Sequence, residues 1–368
     1  MDYTFLAAAA FGLEGVVASE LRHMQITVKA ETGGARFTGS LADAFRANLW
    51  LKTADRVLMV LSEGEATTFE DLFQAVYRIP WETYMKPDAA ILVSGKCVRS
   101  QLMSVRDCQS VAKKAIVQRL MDKHRVAALP ETGVPYPVDV ALHSDRLRVT
   151  LDMSGDALNR RGYRTWNGEA PLRETLAAAM VSLSPWKPEL PLYDPCCGTG
   201  TILIEAAFRA TNRASGIKRS FACERYPFMP AEAMREIRRE AEAAYAPETA
   251  FSIGGSDIDA DAVHLCDKHT AQAGFAYRIP ADVQDLRTLQ LPQEKGVFLC
   301  NPPYGERMSD RDSCHALYRE LGNLLKRHPG WQLGALSSDP AFERFFGRRA
   351  AQKRRLYNGR LECELFIF

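Results

Sequence analysis

Asn301-Pro302-Pro303-Tyr304 sets an amide, two imino acids and a phenol directly behind an apolar run, Val297-Phe298-Leu299-Cys300. The prolines lack N–H groups and fix their φ angles, so the Pro302 carbonyl can be aimed outward as an acceptor. Asn301 adds a side-chain acceptor, and Tyr304 adds a flat face. Two acceptors and a stacking ring are what an exocyclic NH2 on a purine needs, with two hydrogens to give and a plane to pack. A proline-rich turn that only ends a strand would look the same, and on these four residues alone the two readings are equal.

A second constellation lies about a hundred residues upstream, at Asp194-Pro195-Cys196-Cys197-Gly198-Thr199-Gly200-Thr201. Apolar residues before it read as a short strand and Ile202 to Ala207 as the start of a buried helix, so the stretch is a strand, a glycine turn and a helix. Gly198 and Gly200 remove Cβ atoms that would keep a ligand from the backbone, and Asp194 puts a carboxylate at the strand's carboxyl end. Asp194, Cys196, Gly198, Thr199 and Gly200 are the candidate cofactor contacts. A dinucleotide fingerprint wants a third glycine where Leu203 stands. A carboxylate on the incoming strand repels a pyrophosphate but suits the ammonium of a methionine moiety. The turn therefore favours S-adenosylmethionine over NAD, with a purely structural turn as the third reading. A ribose-binding acid is due about twenty residues on, yet the next candidate strand ends at Asp257, beyond an Arg-, Glu- and Ala-rich stretch that reads as an inserted helix with loops. Asp257, at the strand end, is preferred over Asp259 for the ribose hydroxyls.

Positioning these groups requires an alternation of strands and helices. In the first half, strands are expected at Tyr3–Ala7, Ala35–Gly39, Val57–Leu61, Ala90–Cys97 and Arg146–Asp152, with helices at Gly15–Met24, Leu41–Trp50 and Val105–Met121. In the second, a helix follows Pro171, another runs from Thr201 to about Thr211, and a strand is expected around Phe275–Pro280 with Asp282 just past its end. A helix near Ser313–Lys326, a strand near Gln332–Ser337 and a hairpin turning at Asn358-Gly359 complete the chain.

With 368 residues, 46% hydrophobic and 25% charged, the chain has the composition of an ordinary soluble protein with two or three cores. Asp2 and the lack of a basic leader argue against a signal peptide. Nine cysteines without paired spacing argue against a disulfide framework and fit a reducing cytoplasm. Nothing marks a membrane span or a metal site. A net charge of +2 does not announce nucleic acid, so any RNA contact must be local. Three basic patches qualify. Lys96 and Arg99, with Ser100 and Ser104, precede the helix that carries Lys113, Lys114 and Arg119. Arg160, Arg161 and Arg164 crowd a junction that reads as a linker. Arg344, Arg348, Arg349, Lys353, Arg354 and Arg355 face only Glu343 as counter-charge, and form the most basic stretch. A solvated helix face would also explain Lys113 and Lys114.

The chain resembles the bacterial 23S ribosomal RNA guanine-N2 methyltransferases that carry an N-terminal THUMP domain. The resemblance is carried by Gly12-Leu13-Glu14, by Asp152-Met153-Ser154-Gly155-Asp156, by Arg161-Gly162-Tyr163-Arg164, by Pro171-Leu172-Arg173-Glu174-Thr175 and by the two motifs above. It implies an α/β chain with a ferredoxin-like unit over 1–54, a THUMP RNA-binding domain over 55–155, and a linker with a Rossmann-like class I methyltransferase domain over 156–368. It further implies S-adenosylmethionine as cofactor, catalysis at Asn301, Pro302, Pro303 and Tyr304, and Asp282 as the acid facing the adenine amino group, with Asp285 a nearby competitor. RNA is the implied partner, 23S ribosomal RNA or a large-subunit assembly intermediate, with Lys96, Arg99, Lys113, Lys114, Arg354 and Arg355 as contacts. Transfer RNA guanine-N2 and DNA adenine-N6 enzymes, or an inert RNA-binding module, are the rivals.

Overall fold

The computed structural model describes residues 2–164, 172–304 and 308–368. In the first half, β1 (Tyr3–Ala8), α1 (Glu14–His23), β2 (Val28–Glu31), β3 (Gly34–Gly39), α2 (Leu41–Trp50), β4 (Arg56–Glu65), α3 (Phe69–Tyr77), β5 (Ala90–Val98), α4 (Val105–His124), β6 (Pro135–His143) and β7 (Arg146–Asp152) build a seven-stranded sheet in the order β2-β3-β1-β4-β7-β6-β5. The sheet continues across residue 55, because β4 pairs with β1 along one edge and with β7 along the other. Ser40 caps α2 in a capping box with Asp43, and Thr68 caps α3 with Asp71 in the same way. The Thr-x-x-Asp signal of α3 was there to be read. β6 begins Pro-Tyr-Pro, which counts against a strand. Its prolines are tolerated because pairing to β7 begins only at Val138.

The second half comprises α5 (Glu174–Leu183), β8 (Leu192–Asp194), α6 (Thr201–Ala210), α7 (Ala231–Ala244), β9 (Ile253–Asp257), α8 (Ala260–Ala273), β10 (Ala281–Val283), β11 (Gly296–Cys300), α9 (Met308–Arg327), β12 (Trp331–Ser337), α10 (Phe342–Phe346), β13 (Gln352–Asn358) and β14 (Leu361–Ile367). Its sheet runs β10-β9-β8-β11-β12-β14-β13, parallel except where β14 pairs with its neighbours. β11 shows why it is apolar throughout. Val297 and Leu299 join the core beneath α5, α6 and α8, while Phe298 and Cys300 join the core beneath α9 and α10.

Two expectations fail locally. Residues 275–280 are not a strand: Gly274 ends α8 in a left-handed conformation, Tyr277 also has positive φ, and the short strand is Ala281–Val283 itself. The hairpin turns one residue later than Asn358-Gly359, because Asn358 still pairs with Leu361 and leaves Gly359-Arg360 as the two-residue loop. Pro171 lies outside the described residues, but the helix expected to carry it in its first turn begins only at Glu174, after Arg173 in an extended conformation.

The insert between α6 and β9 fastens the two halves together. Phe221, Tyr226, Met229, Met234, Ile237 and Ala241 are buried in the core of the first sheet, not that of the second. Phe221 meets Phe45 of α2 edge-on at 5.8 Å, and Tyr226 stacks on Tyr136 at 4.7 Å. In the other direction Leu13, just before α1, is buried in the second core, and Phe11 meets Tyr357 of β13 at 5.7 Å. The Arg-rich junction belongs to the same joint, which corrects its reading as a linker open to RNA. Arg161 lies 3.4 Å from Glu205 with both side chains essentially inaccessible, Tyr163 donates to Glu205 at 3.1 Å, and Arg164 pairs with Glu174 at 3.3 Å while donating to Thr201 at 2.5 Å. Buried guanidinium groups need such partners, and Arg161 and Arg164 are turned into the joint against these glutamates. Arg160 alone stays exposed, beside Asp156.

Candidate active site

β8 and β11 lie side by side at the middle of the second sheet. From β8 the chain passes outward to β9 and β10, and from β11 outward to β12 on the other side. That reversal opens a crevice beyond the carboxyl ends of the two strands. Asp194 is the last residue of β8, and Asn301 follows the last residue of β11.

The glycine turn is tied down by Cys197 N–H donating to the Ser256 carbonyl at 2.9 Å and by Gly200 N–H donating to the Cys197 carbonyl at 2.9 Å. Its two glycines have different reasons. A Cβ on Gly198 would meet nothing within 4 Å, so this position opens onto the crevice. A Cβ on Gly200 would lie 2.4 Å from Cys266 Sγ, so the packing of α8 against the turn by itself requires a glycine here. Of the two, Gly198 alone shows the open space that ligand approach needs. Gly200→Ala is accordingly expected to lower stability by about 2 kcal/mol through overpacking. Gly198→Ala pays only the left-handed penalty of roughly 1 kcal/mol, and loses cofactor affinity. Thermal melting and calorimetry on the two variants check this split.

Asp194 is buried, its Oδ1 accepts the Cys196 N–H at 3.0 Å, and no donor among the described residues reaches Oδ2. Burial, with the nearby Asp257 carboxylate adding to it, pushes its carboxyl well above the ordinary range. Asp257 reaches back to the turn: Oδ2 accepts the Gly198 N–H at 2.8 Å and Oδ1 the Asp259 N–H at 3.1 Å. Asp259 is spent capping α8, accepting from Asp261 and Ala262. Asp282 is exposed on β10 beside β9, whereas Asp285 is held by Arg287 at 2.8 Å. Two apolar side chains that the sequence reading passed over border these acids. Ile258 is 71% exposed next to Asp257, and Val283 is 57% exposed next to Asp282. An isoleucine left in water between aspartates was the available signal.

Across the crevice, the Tyr304 hydroxyl donates to Asn301 Oδ1. Its ring packs against the second core near Cys363 and Asn358 of the hairpin, and burial raises its pKa well above that of a free phenol. Tyr304 is therefore turned inward, not displayed as a free face, because a buried hydroxyl takes the nearest acceptor. Pro302 is buried, and the exposed Pro303 accepts from Tyr318 Oη at 3.0 Å. Residues 305–307 of the motif lie outside the described residues.

The expected RNA contacts do not form one patch. Cys97 Sγ lies 3.8 Å from Cys108 Sγ of α4, so the alternation of β5 puts exposed Lys96 on the opposite face from α4. Lys113 pairs with Glu131 at 2.8 Å, Arg119 pairs with Glu82, Ser104 caps α4, and Ser100 is buried. Lys114 and Arg99 are exposed. The C-terminal basic run has more counter-charge than Glu343, because the antiparallel return strand supplies Glu362 to Arg355 at 3.2 Å and Glu364 to Lys353 at 3.9 Å.

Counted from β8, the strand order is 3-2-1-4-5-7-6 with an antiparallel seventh strand and an acid-and-glycine crevice at its switch point, which defines a class I methyltransferase whose cofactor is S-adenosylmethionine. Sequence models match the RlmL ferredoxin-like domain over residues 4–58, the THUMP domain over 66–152 and the RMKL-like methyltransferase domain over 161–367. The chain belongs to this RMKL-like methyltransferase family. It is 37% identical over 368 residues to the putative RNA methyltransferase YpsC of Bacillus subtilis, covering 100% of this chain and 96% of that protein. Ribosomal RNA large subunit methyltransferase K/L of Cellvibrio japonicus is 32% identical over 100% of this chain, which spans 51% of that protein. Among solved structures, a "predicted N6-adenine-specific DNA methylase" from Listeria monocytogenes superposes with a TM-score of 0.95 at 40% identity, covering 100% of this chain and 96% of that one. The putative methyltransferase SMU.472, complexed with SAH, superposes with a TM-score of 0.95 at 36% identity, covering 100% and 98%. Among the described residues no group of side chains is arranged to hold a metal ion, and no helix is long and apolar enough to cross a membrane.

Proposed function

We propose that this chain methylates the exocyclic N2 of a guanine in RNA, with 23S ribosomal RNA as the substrate. The observation that carries the reading is the adjacency of Asp194 and Asn301 at the ends of paired strands, which sets the cofactor turn beside an acceptor for an amino group. S-adenosylmethionine, when bound, supplies an electrophilic sulfonium methyl. The crevice fits it: a buried carboxylate for the ammonium at Asp194, open space over Gly198, Asp257 for the ribose hydroxyls, and Ile258 and Val283 as apolar walls for the adenine, with Asp282 at its edge. Cys196 and Thr199 line the turn through their backbone.

Asn301 Oδ1 and the Pro302 carbonyl accept the two hydrogens of the guanine amino group, and Tyr304 shares or gives up Oδ1 as the substrate takes it. Once turned out, its ring is free to stack on the base. The THUMP domain and the RNA named for YpsC and the K/L relative support RNA as substrate. The name of the Listeria relative raises adenine N6 as the rival, since the same acceptors serve either amino group. Incubating the protein and S-adenosylmethionine with 23S ribosomal RNA from cells lacking it, then digesting to nucleosides for mass spectrometry, is expected to yield N2-methylguanosine. N6-methyladenosine in RNA or DNA instead would overturn the guanine assignment.

A further inference from the structure

We propose that the cleft between the N-terminal unit and the methyltransferase half is a groove for a single-stranded segment of the substrate. The inference rests on the RNA reading above and says where the strand runs. The cleft has a volume of about 1100 Å3, lined from α1, α2, α5, the end of α6, α7 and β13. None of Asp194–Thr201, Asp257, Asp282 or Asn301–Tyr304 lines it, so it is distinct from the methyl-transfer crevice. It exceeds the roughly 300–1,000 Å3 typical of small-molecule sites.

Its charges are unevenly satisfied. Glu14 accepts the N–H groups of Gly12 at 2.8 Å and Gly33 at 3.2 Å. Glu20 accepts those of Lys52 at 3.0 Å and Thr53 at 3.3 Å, and burial pushes its carboxyl up, towards the neutral form. Glu240 pairs with Arg46 at 2.9 Å. Lys52, Arg209 and Arg354, lining the same cleft, have no ion pair among the described residues. Burial lowers the pKa of both Lys52 and Arg209, the Glu20 charge offsets part of this for each, and the two cations stand close enough for Arg209 to lower Lys52 further, without a direct carboxylate partner for either among the described residues. Trp50 lines the cleft beside them, with Lys52 Nζ 5.7 Å from its ring centre. Unpaired cations next to an indole face suit phosphates and an unstacked base, and a duplex, whose bases are already stacked, gives Trp50 nothing to hold. The route to the chemistry is short. β13 carries Arg354 into the cleft and Asn358 beside Tyr304 four residues later, about 13 Å of extended strand.

Fluorescence anisotropy with a labelled 12-nucleotide single-stranded RNA and its duplex, over a salt series, tests this. The wild type is expected to prefer the single strand. Arg209→Gln with Arg354→Gln should flatten the salt dependence by roughly 0.7 per lost contact. Trp50→Ala should weaken single-strand binding about tenfold, and Trp50→Phe should restore it. Cofactor affinity and melting temperature should stay at wild-type values in the arginine variant. Wild-type affinity and salt slope in both the arginine and Trp50→Ala variants, or a preference for duplex, overturns the groove while leaving the RNA reading standing. A wild-type protein that binds neither RNA overturns both.

Discussion

Asn301→Ala is expected to lower the single-turnover methylation rate by about 10²–10³, the cost of removing one preorganised partner of a developing charge, with cofactor affinity unchanged. A guanine amino nitrogen is a weak nucleophile because its lone pair is delocalised into the ring. Two acceptors on its hydrogens, Asn301 Oδ1 and the Pro302 carbonyl, hold the nitrogen in the geometry that frees that pair, and stabilise positive charge as the methyl arrives. No strong base is needed for this transfer. The Tyr304 hydrogen bond to Asn301 adds a second arm to the test. Tyr304→Phe removes the competitor for Oδ1 and keeps the ring, so it should retain most activity, while Tyr304→Ala should lose the alignment along with the ring. Rapid-quench measurements at saturating cofactor read these rates directly. A wild-type rate in Asn301→Ala would reduce the motif to a turn that ends a strand.

The parts of this site legible from sequence are those where backbone chemistry dictates the residue. Prolines behind an apolar run and glycines behind a strand carry their geometry with them, so Asn301 and Asp194 fall at strand ends as expected, and the fold adds that those two strands are neighbours. Patches judged by charge alone were less legible. Arg161, Arg164 and Lys113 read as cations for phosphate, yet each is paired with a glutamate, at positions 205, 174 and 131, that only the fold brings near. Arg355 and Lys353 looked unopposed because their counter-charges arrive on the return strand of the hairpin. The insert was legible as a helix but not as a clamp, since nothing local in Phe221 or Ile237 says that the core they enter lies some two hundred residues earlier in the chain. Gly200 has a reason invisible in the local sequence, because a contact that demands a glycine there comes from Cys266.

Asp194→Asn is expected to abolish most cofactor affinity while making the cofactor-free protein more stable. The carboxylate is buried with one oxygen on the Cys196 N–H, and burial raises its pKa. In the unfolded chain the group ionises at the ordinary carboxylate value, so between that value and the raised one the folded state binds more protons. Stability of the free protein therefore falls as pH rises through that window. Asparagine keeps the acceptor for Cys196 and carries no charge, so the variant should lose this dependence, and its advantage in melting temperature should grow with pH across the window. Cofactor binding runs the opposite way. An ammonium needs the ionised carboxylate, so wild-type affinity should climb as pH rises towards the raised value of Asp194 and level off above it, with a proton released on binding below. A charged hydrogen bond of this kind contributes roughly 1.5–3 kcal/mol, so the variant should bind about ten- to a hundredfold more weakly, with no such pH dependence. Calorimetry in buffers of different ionisation enthalpy measures both the affinity and the released proton. Equal pH profiles in wild type and variant would remove Asp194 from the ammonium site and leave it a purely structural acceptor for the turn.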